Sequence, residues 1–142
     1  MPITQYQADD ELAFFLNGGA LTLPADWFLS LHTADPGFGG TQVTNEVGYF
    51  GYTRANLPRL PGSWTRGAGP PGVWAAVLQV KVQWPQLTVG GSVVVTHVGI
   101  GDASSGAGRL RWRCPVGPLT FAVGKTPRLI EGSKLYLCNC GS

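Results

Sequence analysis

Ser30, His32 and Asp35 lie within six residues of one another, and together they supply the three side-chain types of an acyl-transfer triad. Residues two apart on a strand share a face, so Ser30 and His32 can meet. A working triad also needs its nucleophile on a strained turn with N–H donors beside it. Ser30 instead sits inside the apolar run "WFLSL" (27–31) with no Gly-x-Ser-x-Gly pattern, and Asp35 precedes Pro36 in an Asp-Pro-Gly turn. Turn chemistry at a strand end is therefore the favoured reading. On that reading His32→Ala costs about 1 kcal/mol, the worth of one ordinary hydrogen bond.

The other candidate constellations are weaker. "GKT" (124–126) has the tail of a phosphate loop, but the position that must be Gly, five before Gly124, is Leu119. "GIGDASSG" (99–106) misses dinucleotide spacing and reads as a strand-ending hairpin loop. Cys138 and Cys140, with Cys114 or His97, could form a zinc site, yet a C-x-C in a strand lacks the turn spacing of structural zinc. With no secretory leader evident, these thiols are expected to be reduced. Asp9, Asp10 and Glu11 suit the start of a helix, where negative charge is favoured. The remaining carboxylates, Asp26, Asp35, Glu46, Asp102 and Glu131, are isolated and form no glycosidase pair, and no loop marks a calcium or sugar site. Arg109, Arg111 and Arg113 alternate with Leu110, Trp112 and Cys114, so the stretch presents one basic and one apolar face. That pattern suits a solvated or interface strand better than a nucleic-acid platform, because Trp112 points away from the basic side. No catalytic residue, metal ligand or cofactor-binding residue is assigned, and no enzyme is expected.

The elements that would position these residues are mostly strands. Gly (21) and Pro (11) exceed a fifth of the 142 residues, which favours short strands and turns over long helices. One helix is predicted over 9–17, capped by Asp9 or Asp10 and ended by Gly18 and Gly19, with Leu12, Phe15 and Leu16 on one face. Strands are predicted over 26–33, 49–57, 73–89, 92–102, 108–114, 118–123 and 133–140, with 92–102 central because it is the most β-branched. Segment 34–48 reads as a long polar loop. Segment 58–72 also reads as loop, because it holds four Pro and four Gly. The fold class is therefore all-β: an antiparallel β-sandwich or jelly roll of about eight strands with one short N-terminal helix. An N-terminal arm (1–26) precedes a single β-sandwich domain (27–142).

Composition limits the functions open to such a domain. Hydrophobic residues make up 44 % and charged residues only 13 %, about half the usual charged share. Scarce charge beside abundant Trp, Tyr and Phe points to a surface occupied by partners. A net charge of +2 is too weak for nucleic-acid binding on electrostatics. No apolar stretch reaches the roughly 20 residues of a membrane span. "MPITQYQADDELAFF" has neither a basic n-region nor a secretory h-region, so assembly in a host cytoplasm is expected.

The segments "LHTADPG" (31–37), "TNEV" (44–47) and "GYTR" (51–54) resemble a signature of small structural proteins of tailed bacteriophages. Downstream, "THVGIGDASSGAGRLRW" (96–112) and "FAVGKTPRLIEGSKLYL" (121–137) are similar to the later pattern of that group. The resemblance implies a non-enzymatic virion component, of capsid cement or decoration type or of tail or tail-fibre type. A capsid cement protein is the first expectation and a tail or tail-fibre component the second. A carbohydrate-binding module or small hydrolase is the alternative from another class. Expected partners are the chain itself, as a homotrimer, and the major capsid protein or tail proteins. Phe14, Phe15, Phe38, Tyr49, Tyr52 and Trp64 are the candidate interface residues, with Phe14, Phe15 and Leu16 docking on the domain's own sheets or on an adjacent chain.

Overall fold

A computed structural model describes residues 3–71 and 73–138, the last two by backbone alone. One helix, α1 (Gln5–Leu16), precedes nine strands: β1 (Asp26–His32), β2 (Ala55–Pro58), β3 (Trp64–Ala68), β4 (Val73–Leu78), β5 (Val82–Gln83), β6 (Val93–Gly101), β7 (Leu110–Phe121), β8 (Arg128–Leu129) and β9 (Lys134–Cys138). They form a four-stranded sheet in the order β2-β1-β6-β7, a three-stranded sheet β3-β4-β9 and a pair β5-β8. Every strand pairing among the described residues is antiparallel. The protein is thus mostly β with a single N-terminal helix.

The sheets share one core. Trp27, Leu29 and Leu31 alternate along β1, and with Val98 and Ile100 of β6 they share the core with Leu78 of β4, Val82 of β5 and Trp84 just after it. Alternation at period two puts these side chains on one face. β1 is nevertheless buried on both faces from Leu29 onward, because loop 34–48 folds back over Ser30 and His32. Segment 92–102 lies inside the four-stranded sheet, as its β-branched run predicts.

Several boundaries differ from the sequence reading, each for a tertiary reason. The helix begins at Gln5, not Asp9, and Thr4 is its N-cap residue without a side-chain capping bond. The Thr4 hydroxyl instead donates to the Leu110 carbonyl, the Thr4 N–H donates to the Arg111 carbonyl (3.0 Å), and Ile3 bridges to Trp112, so the arm lines the β7 edge. Gly18, with φ +68°, ends the helix as expected, and the Gly19 N–H donates to the Ala13 carbonyl (2.8 Å). Segment 49–57 is strand only from Ala55, where β2 (Ala55–Pro58) begins; a turn closed by the Tyr52 N–H on the Tyr49 carbonyl (3.0 Å) lies before it. Segment 58–72 is not all loop, since it contains β3, which β4 templates by pairing. Segment 73–89 breaks into β4 and β5. Segments 108–114 and 118–123 merge into one long strand, β7, and β8 carries too few residues to show a period. β9 covers 134–138 of the predicted 133–140; residues 139 and 140 lie outside the described residues.

The basic and apolar faces predicted for 108–114 do not exist as drawn. Ile100 pairs with Trp112 and Gly101 with Leu110, so Arg111 is the extra residue of a β-bulge. A bulge reverses the alternation. Trp112 therefore joins the core against Trp27, in an edge-to-face contact with ring centroids 5.6 Å apart. Leu110 turns to the opposite face, beside Ser30 and His32. Arg111 is not solvated: its side chain is 1 % exposed and pairs with Asp10 of the helix.

Candidate functional site

Ser30 and His32 do meet. The His32 Nδ1–H donates to the Thr44 carbonyl (2.8 Å), and because that carbonyl can only accept, Nε2 is the free acceptor and receives the Ser30 hydroxyl (2.7 Å). This is half of a triad in geometry, but both residues are 0 % exposed. A Cβ added to Gly99 would fall 2.6 Å from His32 Nε2 and 2.7 Å from Ser30 Oγ, so the backbone of β6 closes the pair off. Burial also lowers the His32 pKa, against the pull of the Thr44 bond and of Glu46, and keeps the ring neutral. No substrate atom can reach Ser30, and the pair ties β1 to loop 34–48.

Asp35 takes no part in it. Its carboxylate accepts from the Gly37 N–H (2.9 Å) and from Arg113 through both oxygens (2.8 and 2.6 Å). Partial burial alone would raise its pKa, but the Gly37 bond and the Arg113 guanidinium together hold it below the ordinary value. His97 stands 4.0 Å away.

Around this pair the phage-like signature folds into one polar knot. Arg54 binds Glu46 through both carboxylate oxygens, at 2.8 and 2.9 Å, and also donates to the carbonyls of Ala103 (2.9 Å) and Gly106 (2.6 Å). Tyr52 donates to Glu46 (2.8 Å) and accepts from the Leu31 N–H (3.1 Å). Burial and the Glu46 carboxylate raise the Tyr52 pKa far above the ordinary phenol range. Gln42, fully buried and not singled out from sequence, accepts from the Ala103 N–H (3.0 Å) and donates to the Phe28 carbonyl (3.3 Å). A Cβ at Gly101 or Gly108 would collide with it, so the glycine spacing of "GIGDASSGAG" was the available signal. The upstream and downstream segments thus exchange hydrogen bonds in both directions.

The candidate interface residues fall into two groups. Phe14, Phe15 and Phe38 are exposed, Phe15 at 74 % and the adjoining Leu16 at 75 %. Docking of this helix end on the domain's own sheets does not occur, since α1 buries no residue. Tyr49, Tyr52 and Trp64 pack against the core. Tyr49 also donates to the Pro85 carbonyl (2.7 Å), and burial raises its pKa.

Trp64 belongs to a second feature, an open cleft between the two larger sheets. Its walls include Trp27, Trp64, Trp74, Ile100 and Trp112, its volume is about 230 Å³, and Arg66 stands on its rim. The buried indole N–H of Trp112 has no hydrogen-bond partner among the described residues. Of the zinc constellation that the sequence reading set aside, the Cys138 side chain and Cys140 lie outside the described residues. Cys114 is a free thiol whose pKa burial pushes up to about 12.

No curated protein matches the chain. The model of one family, described as "Podophage GP4 fiber I protein gp80", matches residues 2–133. That span takes in the arm, the signature and the Gly-rich downstream motif, and it favours the fibre reading over the capsid cement reading that the sequence placed first. The chain belongs to the podophage GP4 fiber I protein gp80 family and is a virion structural protein of tail-fibre type.

Proposed function

We propose that this chain builds a tail fibre by contact alone, as a self-associating, non-catalytic subunit that joins further copies and the tail proteins beside it. The carrying observation is the division of its side chains. Ser30, His32, Glu46 and Arg54 are consumed in a largely buried network, while the apolar Phe14, Phe15, Leu16 and Phe38 stand exposed. Buried polar networks of this kind hold loops in one conformation, which suits a part that transmits force. Exposed aromatic residues supply contact energy at low entropy cost.

Labelling intact particles with an antibody to this chain tests the reading. Signal on projections from the tail, with far fewer copies per particle than the major capsid protein, is the expected result. Signal spread over the head at shell stoichiometry would return the chain to the cement role. Sedimentation of the isolated protein tests self-association, with three copies the smallest closed ring for a head-to-tail contact.

A further inference from the structure

We infer that the exposed end of α1 is the plug for the tryptophan cleft of a second copy of this chain. The inference rests on the self-association reading and supplies its contact. Leu12, Phe14, Phe15 and Leu16 form an apolar end that no described residue buries, and Phe14 and Phe15 stand edge to face with centroids 5.1 Å apart. The cleft is apolar and about 230 Å³ in volume.

The charges are complementary. The helix presents Asp9 and Glu11, Asp10 being paired with Arg111, and has no basic residue in its last turn, so its last carbonyls keep their partial negative charge. Arg66 lines the cleft, and Arg59 and Lys134 line the hollows beside it.

The contact must be between chains. The Gln5 N–H donates to the Phe38 carbonyl (2.8 Å) and Asp10 pairs with Arg111, which holds the helix by loop 34–48. The cleft opens on the other, core-facing side of the four-stranded sheet, and no helix residue lines it. Plug and socket on different sides make a head-to-tail interface, which grows into a ring or a filament. A sugar fits the cleft less well, since Arg66 is the only charged group among its lining residues and stacked sugars need several polar partners.

The test uses the full chain in sedimentation velocity. Phe15→Glu blunts the plug, and Trp74→Glu, at a side chain 58 % exposed, spoils the socket. Each variant alone should associate at least about tenfold more weakly than wild type while melting at the wild-type temperature. An equimolar mixture should recover a one-to-one complex, because the intact plug of one variant meets the intact socket of the other. Wild-type association that survives both substitutions, or a mixture that stays monomeric, would overturn the plug while leaving self-association standing. A monomeric wild type would remove both. A monomeric wild type whose tryptophan fluorescence shifts on titration with cellohexaose would give the cleft to a sugar and likewise overturn the inference.

Discussion

Arg54 grips Glu46 through two parallel hydrogen bonds, Nε to Oε1 at 2.8 Å and Nη2 to Oε2 at 2.9 Å, with the arginine side chain only 3 % exposed. The two residues join loop 34–48 to the segment that leads into β2, and Arg54 carries the tie onward to Ala103 and Gly106. Paired in this way the charges are satisfied; singly they are not. Glu46→Ala should therefore cost about 3–5 kcal/mol, the penalty for a buried arginine left without its carboxylate. Chemical denaturation measures it, and a loss under about 1 kcal/mol would contradict the arrangement.

Gly99 has room for no side chain. A Cβ there would lie 2.6 Å from His32 Nε2, 2.6 Å from Leu110 Cδ1 and 2.7 Å from Ser30 Oγ. Gly99→Ala should destabilise the fold by about 1–3 kcal/mol through overpacking. Gly106→Ala is not the matching control, because its φ of +74° adds strain of its own. Gly91→Ala, with nothing nearby and no positive φ, is, and it should melt near wild type.

His32 makes stability depend on acid. Burial lowers its folded pKa below the ordinary 6.5, so below that value the unfolded chain binds a proton the folded chain refuses. Its contribution is complete above about pH 6.5 and is lost as pH falls toward the folded pKa. Asp35, also lowered, adds a separate loss below its ordinary 3.8. The melting temperature should fall between about pH 7 and pH 5, and His32→Gln should flatten that slope; an unchanged slope would assign it elsewhere.

His32→Ala should cost about 2–4 kcal/mol, more than the roughly 1 kcal/mol of a single ordinary bond. Two bonds are lost, the Ser30 hydroxyl and the Thr44 carbonyl are left unpaired in a buried space, and a cavity remains. Equilibrium unfolding in urea reads this directly.

Cys114 should resist alkylation. With its thiol raised to about 12, the thiolate that reacts is scarce at neutral pH. In a chain carrying Cys138→Ser and Cys140→Ser, iodoacetamide labelling should be slow in buffer and fast in denaturant. Rapid labelling of the folded chain would show the thiol open to solvent.

The Asp10 pair with Arg111 holds the helix to β7. Asp102, at 3.7 Å from Arg111, is the remaining carboxylate near it. Asp10→Ala should loosen the helix, so that amide exchange over residues 5–16 accelerates while β1 and β6 stay protected. Unchanged exchange would mean that the Thr4 bonds to Leu110 and Arg111 are enough.

Much of this fold is local and can be read from the sequence. "DWFLSLH" and "VVVTHVGIG" are strands because alternation and β-branching suit a pleated, half-buried surface, and Gly18 stops the helix because it accepts a positive φ. The polar loop 34–48, the Asp-Pro-Gly turn and the meeting of Ser30 with His32 also follow from short-range geometry. Other features depend on partners far along the chain. β3 exists because β4 pairs with it, against the preference of a Pro- and Gly-rich segment. The bulge at Arg111 sends Leu110 and Trp112 to opposite faces, which no count of alternating residues can foresee. Arg111 is buried because Asp10, 101 residues away, neutralises it. The helix starts at Gln5 because Thr4 lies against the β7 edge. Whether Glu46 and Arg54 are surface charges or a buried clasp is decided by the loop that folds over them, because burying a charge is favourable only once its partner is in place.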